Sequence, residues 1–145
     1  MNNIFVQIAS YRDPQLIPTL KSMIENAKNP KKLIIGICRQ YHPDDKFDVL
    51  DEYKNDKRFR VTDVLYSESK GVCWARNQVQ QLYGGEEYTL QIDSHMRFEK
   101  NWDETFIKMI KQLQKKGFEK PLLTGYVSSF NPENDPEQRI REPWR

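Results

Sequence analysis

Cysteine is nearly missing from this chain. Cys38 and Cys73 are the two present, too few for a disulfide-stapled scaffold, and the expectation is a reduced, cytoplasmic protein. Charge of one sign is missing as well. Lys and Arg number 23 against 21 Asp and Glu, a net charge of +2, and that balance argues against a dedicated nucleic-acid binder with its concentrated basic surface. Apolar runs last only a few residues, so no segment is expected to span a bilayer. Met1-Asn2-Asn3 leads straight into a strand-like run, without the basic and apolar regions of a secretory leader. Neither GxGxxG nor a Walker pattern occurs, which disfavours a dinucleotide or P-loop site. Paired Cys spacing is lacking too, so Cys38, His42, Cys73 and His95 make a poor zinc set. Nucleophilic Cys-His and Ser-His-Asp signatures are likewise absent.

What the chain does have is enough apolar matter to fold: Leu, Ile, Val and Phe make up 35 of its 145 residues, above the range of disordered chains. Strand and helix signals alternate along it. Residues 4–9 form a short apolar run suited to a buried strand. Asp13-Pro14 then offers an N-cap and a first-turn proline. Leu16, Ile17, Leu20, Met23, Ile24 and Ala27 follow at helical spacing, with Pro18 leaving the start open between Pro14 and Pro18. A second strand is predicted at 33–38, a weaker helix at 44–54, and a third strand at 59–65. A helix over 69–83 is stopped by Gly84-Gly85. Residues 88–92 alternate as a fourth strand. Asn101 opens a long helix whose Trp102, Phe106, Ile110 and Leu113 share a face. Its acids Asp103 and Glu104 and its bases Lys115 and Lys116 suit the helix dipole. Gly117 ends it, and 121–127 reads as a fifth strand.

This order predicts an α/β fold with a mostly parallel, Rossmann-like sheet and helices on both faces. Ligands in such sheets bind beyond the carboxyl ends of the strands. The turns to search are therefore 10–13, 39–42, 67–71 and 93–97. Residues 131–145 are polar and proline-punctuated, with Trp144 as an odd member for a solvated tail.

Three turns carry candidate chemistry. Asp93-Ser94-His95 follows the fourth strand, and an Asp and a His two residues apart can turn toward one cation. A carboxylate with an imidazole suits manganese better than calcium, while a simple turn with an acidic start and a His cap is equally compatible with the spacing. Arg76 falls on the wheel between Val72, Val79 and Tyr83, so it points into an apolar stripe and needs a carboxylate or phosphate partner. An internal ion pair or a snorkelling side chain fits that pattern as well. Ser10-Tyr11-Arg12-Asp13 places a ring, a cation and a carboxylate after the first strand, where they can hold a nucleotide or, for Asp13, cap the helix.

These motifs in order, IFVQIASYRD at 4–13, PQLIPTL at 14–20, GVCWAR at 71–76 and YTLQIDSHMRF at 88–98 with Asn101-Trp102-Asp103-Glu104, resemble the cytoplasmic N-acetylglucosaminyltransferases that modify polypeptide hydroxyproline. The resemblance covers most of residues 4–126. It implies a GT-A fold, with a nucleotide-sugar-binding core over 1–130 and a C-terminal tail over 131–145. It also implies a retaining transfer from a UDP-sugar, UDP-N-acetylglucosamine above all, to a hydroxyl acceptor on a polypeptide or glycan. Asp93-Ser94-His95 is similar to the family's Asp-x-His metal motif, so Asp93 and His95 would bind Mn2+ or Mg2+. Ser10, Tyr11 and Arg12 would face the uridine. Asp93 would also lie near the ribose, Arg76 would sit against the diphosphate or the uridine, and these two are the catalytic candidates. The chain is shorter than the family's members. The expectation from that is a missing acceptor-binding part and self-association through an exposed apolar face, with a truncated, non-catalytic UDP-sugar-binding module that needs a partner chain as the alternative.

Overall fold

The structure is a computed structural model and describes residues 2–135. Trp144 and the rest of the tail beyond Asp135 lie outside the described residues. The chain divides into two compact units, Met1–Thr105 and Phe106–Arg145.

The first unit contains β1 (Ile4–Tyr11), α1 (Leu16–Asn26), β2 (Leu33–Tyr41), β3 (Phe59–Leu65), α2 (Val72–Gln80) and β4 (Tyr88–Asp93), and it ends just inside α3 (Trp102–Lys115). The strands form one sheet of order β3-β2-β1-β4, and every pairing is parallel. This is the predicted α/β, Rossmann-like architecture. From β1 the chain steps one way to β2 and β3, then crosses to β4 on the other side of β1. Right-handed crossovers in opposite directions put α1 and α2 on opposite faces of the sheet. The strand order therefore reverses between β1 and β4, and a crevice opens there at the carboxyl ends.

Strand periodicity sorts the core. Phe5 points to the α2 face, where it is fully buried with Cys38, Ala75 and Val79. Gly36 makes room for it: a Cβ at that position would lie 2.6 Å from two carbons of the Phe5 ring. Ile4, Val6 and Ile8 of β1 and Leu33, Ile35 and Ile37 of β2 point the other way and are buried, as are Leu16, Leu20 and Met23 on the apolar stripe of α1. Each such side chain contributes about 1.5–3 kcal/mol by leaving water.

The start of α1 resolves the question that Pro18 posed. Leu16 is the first helical residue, and the Gln15 amide donates to Asp13 Oδ1 at 2.8 Å. Pro18 therefore lies in the first turn, where amide donors have no intrahelical partner in any case. The first i→i−4 bond runs from Thr19 N to Gln15 O at 2.9 Å.

Three predicted elements differ. The helix expected over 44–54 is absent, and a single 3₁₀ turn at Asp51–Tyr53 takes its place. Its residues have partners elsewhere: Asp45 N donates to His42 O, the Asp45 carboxylate receives Arg12, and Asp48 O receives Arg39. Side-chain and turn bonds of this kind compete with a helix ladder. The helix predicted over 69–83 is shorter. It follows a 3₁₀ turn at Tyr66–Glu68 and a Gly71 with φ of +95°, and it ends at Gln80.

In the second unit, the strand predicted over 121–127 does not form. Among the described residues nothing pairs with it, and Leu122 and Tyr126 are 87% and 86% exposed. An extended run with no partner edge has no ladder to stabilise it. The end of α3 matches expectation. Gly117 has φ of +95°, its amide donates to Gln114 O, and Phe118 N donates to Leu113 O, which together make a Schellman cap.

Candidate functional site

The register places Ala9 of β1 beside Cys38 on one side and Asp93 on the other. Asp93 is the last residue of β4, so the Asp93-Ser94-His95 turn begins at the switch point. Its side chains meet groups from the two neighbouring βα connections. Arg76 of α2 donates from Nη2 to Asp93 Oδ1 at 3.2 Å. Asp13, from the turn before α1, accepts from Ser94 Oγ at 2.6 Å and lies 2.9 Å from His95 Nδ1, both through Oδ2. Burial pushes the Asp13 carboxyl up, but the bonds from Ser94, His95 and the Gln15 amide outweigh it and hold it below the ordinary carboxylate range.

The backbone of this turn is held just as closely by α1. Buried Thr19 donates from Oγ1 to Ser94 O at 2.8 Å and accepts from Met96 N at 2.9 Å, one bond on each side of His95. Arg97 reaches Gln15 Oε1 at 2.6 Å, and Phe98 N donates to Ser22 Oγ at 2.9 Å. The segment 94–98 is therefore laid against α1 residue by residue.

Beside this turn lies a cleft of about 390 Å³ over the ends of β1 and β2, lined by Ala9, Tyr11, Gln40, Tyr66, Ser69 and Gly71. Ala9, which lines it, is the register partner of Asp93 on the neighbouring strand. Gln40 is fixed at both ends: Nε2 donates to Ser10 O at 3.1 Å, and Oε1 accepts from Ser69 Oγ. Tyr11 is half exposed at the rim. The Tyr66 ring sits 4.6 Å from His42 and 5.5 Å from the Arg12 guanidinium. Arg12 has φ of +46°, a conformation costing on the order of 1 kcal/mol. It is held there by its amide bond to Gln40 O at 3.0 Å and by a two-pronged pair with Asp45 at 2.7 and 3.2 Å. That Arg12 contact holds the Asp45 carboxyl below its ordinary range.

Of the residues singled out from sequence, Tyr11, Arg76, Asp93 and His95 gather at the β1/β4 end of the sheet. Arg12 packs on Tyr66 at the same end. Ser10 is at that end too, but it is buried, and its hydroxyl has no hydrogen-bond partner among the described residues. The alternation of β1 turns it to the α1 face, away from the cleft that Ala9 and Tyr11 line. Arg76 is less buried than its wheel position predicts. Ala75 and Val79 are the buried residues of α2, whereas Val72 and Tyr83 are about half exposed, and the Arg76 side chain is one-third exposed.

The sequence pattern did not single out Thr19, Gln40 or Tyr66; Asp44-Asp45 reads there as a solvated helix start or an acid near a base, and the structure instead pairs Asp45 with Arg12. Thr19 had a signal, because a hydroxyl at the i+3 position of the Leu16–Leu20–Met23 stripe must find a partner when buried. Asp13 reads from sequence as a helix cap or a nucleotide contact, and its bond to His95, 82 positions away, has no local signature.

A Rossmann-like parallel sheet with a polar cleft and an Asp-x-His turn at its switch point defines an α/β protein that works at the carboxyl ends of its strands. A sequence profile described as Glycosyltransferase (GlcNAc) matches residues 3–57 and 45–143. The chain belongs to this family, and its chemistry is that of a glycosyltransferase. No protein of curated function matches it.

Proposed function

We propose that this protein is a metal-dependent, retaining glycosyltransferase of GT-A type. Its donor is a UDP-sugar, UDP-N-acetylglucosamine in this reading, and its acceptor is a hydroxyl such as that of polypeptide hydroxyproline. The observation that supports the reading is the Asp93-Ser94-His95 turn at the switch point, with Asp93 paired to Arg76 and His95 to Asp13, near a cleft floored by Ala9, the register partner of Asp93. Free Cys38 and Cys73 support a cytoplasmic setting, and no described helix is long and apolar enough to cross a membrane.

The donor set fits a divalent cation that shares its ligands with a substrate. Among the described residues no three His, Cys, Asp or Glu side chains cluster for a metal; in this reading the protein's share of the ligands is Asp93 and His95. Asp93 gives one oxygen to Arg76 and keeps the other, and His95 uses Nδ1 toward Asp13 and keeps Nε2. Ions bound by one or two protein groups complete their shell with phosphate oxygens and water. Bound there, Mn2+ or Mg2+ supplies Lewis-acid stabilisation of the departing diphosphate.

The chain's own residues do the rest. Tyr11 and Tyr66 flank the uracil, and the Gln40 amide, anchored by Ser10 and Ser69, fixes the wall between them. Arg76 stands over the donor phosphates beside Asp93 and adds positive charge where negative charge develops. With retention and no carboxylate assigned as a base, the acceptor hydroxyl passes its proton to the leaving phosphate oxygen as the glycosidic bond forms. Asp93→Asn is expected to weaken Mn2+-dependent UDP binding by at least about 100-fold, read by calorimetry. Full affinity in that variant would remove Asp93 from the metal.

A further inference from the structure

We infer that Asp13 is a positioning residue for His95: it fixes the imidazole as its Nδ1–H tautomer and so presents Nε2 as the coordinating atom. The inference rests on the reading of Asp93 and His95 as metal ligands. It goes beyond that reading by assigning a role to a residue on a different βα turn.

The argument starts from the shared oxygen. Asp13 Oδ2 takes the Ser94 hydroxyl at 2.6 Å and faces His95 Nδ1 at 2.9 Å. An ionised carboxylate can only accept, so the proton between it and the ring belongs to Nδ1. In the neutral ring Nε2 is then bare and carries the lone pair a cation needs. A carboxylate behind the metal-facing imidazole is the usual way a histidine ligand is oriented and made more basic.

The surroundings make this arrangement stiff. Asp13 Oδ1 is tied to the Gln15 amide at 2.8 Å, so the carboxylate cannot swing away from the ring without losing the entry to α1. Thr19 grips Ser94 O and Met96 N on either side of His95. The His95 side chain is itself 60% exposed, so packing does not orient it. Asp13 is the group that does. This division of labour, Thr19 for the backbone and Asp13 for the ring, explains why so polar a turn is built against a buried part of α1.

The test uses the full chain with ring-15N-labelled histidine. His42→Gln leaves His95 as the single imidazole, since the sequence has two histidines. Without metal, long-range 1H–15N spectra are expected to show His95 protonated at Nδ1 and bare at Nε2. Asp13→Asn is expected to lose that fixed tautomer and to weaken Mn2+ binding in the presence of UDP about 10- to 100-fold, followed by Mn2+ electron paramagnetic resonance. An Nε2–H tautomer in the parent spectrum overturns the inference whether or not any variant folds. So does an Asp13→Asn chain that keeps both the tautomer and the parent's Mn2+ affinity. If the parent chain binds no Mn2+ with UDP, the metal reading itself falls and takes this role with it, which separates the two failures.

Discussion

Arg76 and Asp93 form an ion pair across the switch point, Nη2 to Oδ1 at 3.2 Å, joining the second turn of α2 to the last residue of β4. The pair sets a cation beside the carboxylate assigned to the metal. Both groups are partly exposed, at 34% and 56%, so little of the fold's stability rests on the pair itself.

Arg76→Ala is therefore expected to leave the thermal midpoint nearly unchanged while weakening UDP binding by about tenfold, the loss typical of a charge-assisted bond to phosphate. Uridine, which has no phosphate, is expected to bind the variant and the parent alike. Equal losses for UDP and uridine by calorimetry would take Arg76 away from the diphosphate.

Tyr11 stands half exposed at the rim of the cleft, and its ring is free to lie against a base. Tyr11→Ala should cost uridine and UDP alike about tenfold in affinity, given roughly 1–3 kcal/mol for a base stacked on an aromatic ring. Parallel titrations of the two ligands separate this base effect from the phosphate effect of Arg76. An unchanged uridine affinity would place the base elsewhere.

Much of this geometry was legible in the sequence, and the parts that were not share a cause. Each of the four strands is a short run of apolar or alternating residues bounded by turn residues, so its position follows from local pattern. Asp93 and His95 could be read because they sit two residues apart at a strand end. The Asp13–His95 and Arg12–Asp45 contacts join distant positions, and no local period reports them. The false helix over 44–54 and the false strand over 121–127 failed for a related reason. Local propensity pointed one way, while Arg12 and Arg39 claimed the first segment and no described strand pairs with the second.

The same loop carries a buried charge. Asp48 is fully buried, and among the described residues neither carboxylate oxygen has a hydrogen-bond partner. Burial pushes its carboxyl above the ordinary range; Arg39 opposes this, and Asp45 and Asp63 add to it. A carboxyl raised in the folded state contributes stability that is fully present below its unfolded pKa and is lost as pH rises through the folded one. Asp48→Asn, with no charge to bury, is expected to have a higher thermal midpoint than the parent at neutral pH. The gap should close as pH falls toward about 4, where the unfolded carboxyl is itself protonated. Parallel midpoint curves from pH 4 to 8 would show that Asp48 ionises in the folded protein without cost.

The central claim is that Asp93, His95 and the Tyr11–Tyr66 cleft form one metal-assisted nucleotide-sugar site. Calorimetric titration of UDP into the purified chain, first with Mn2+ and then with excess chelator, tests it most directly. The account predicts binding that Mn2+ strengthens and chelator removes. Affinity that is the same in both conditions, or no binding in either, would contradict it.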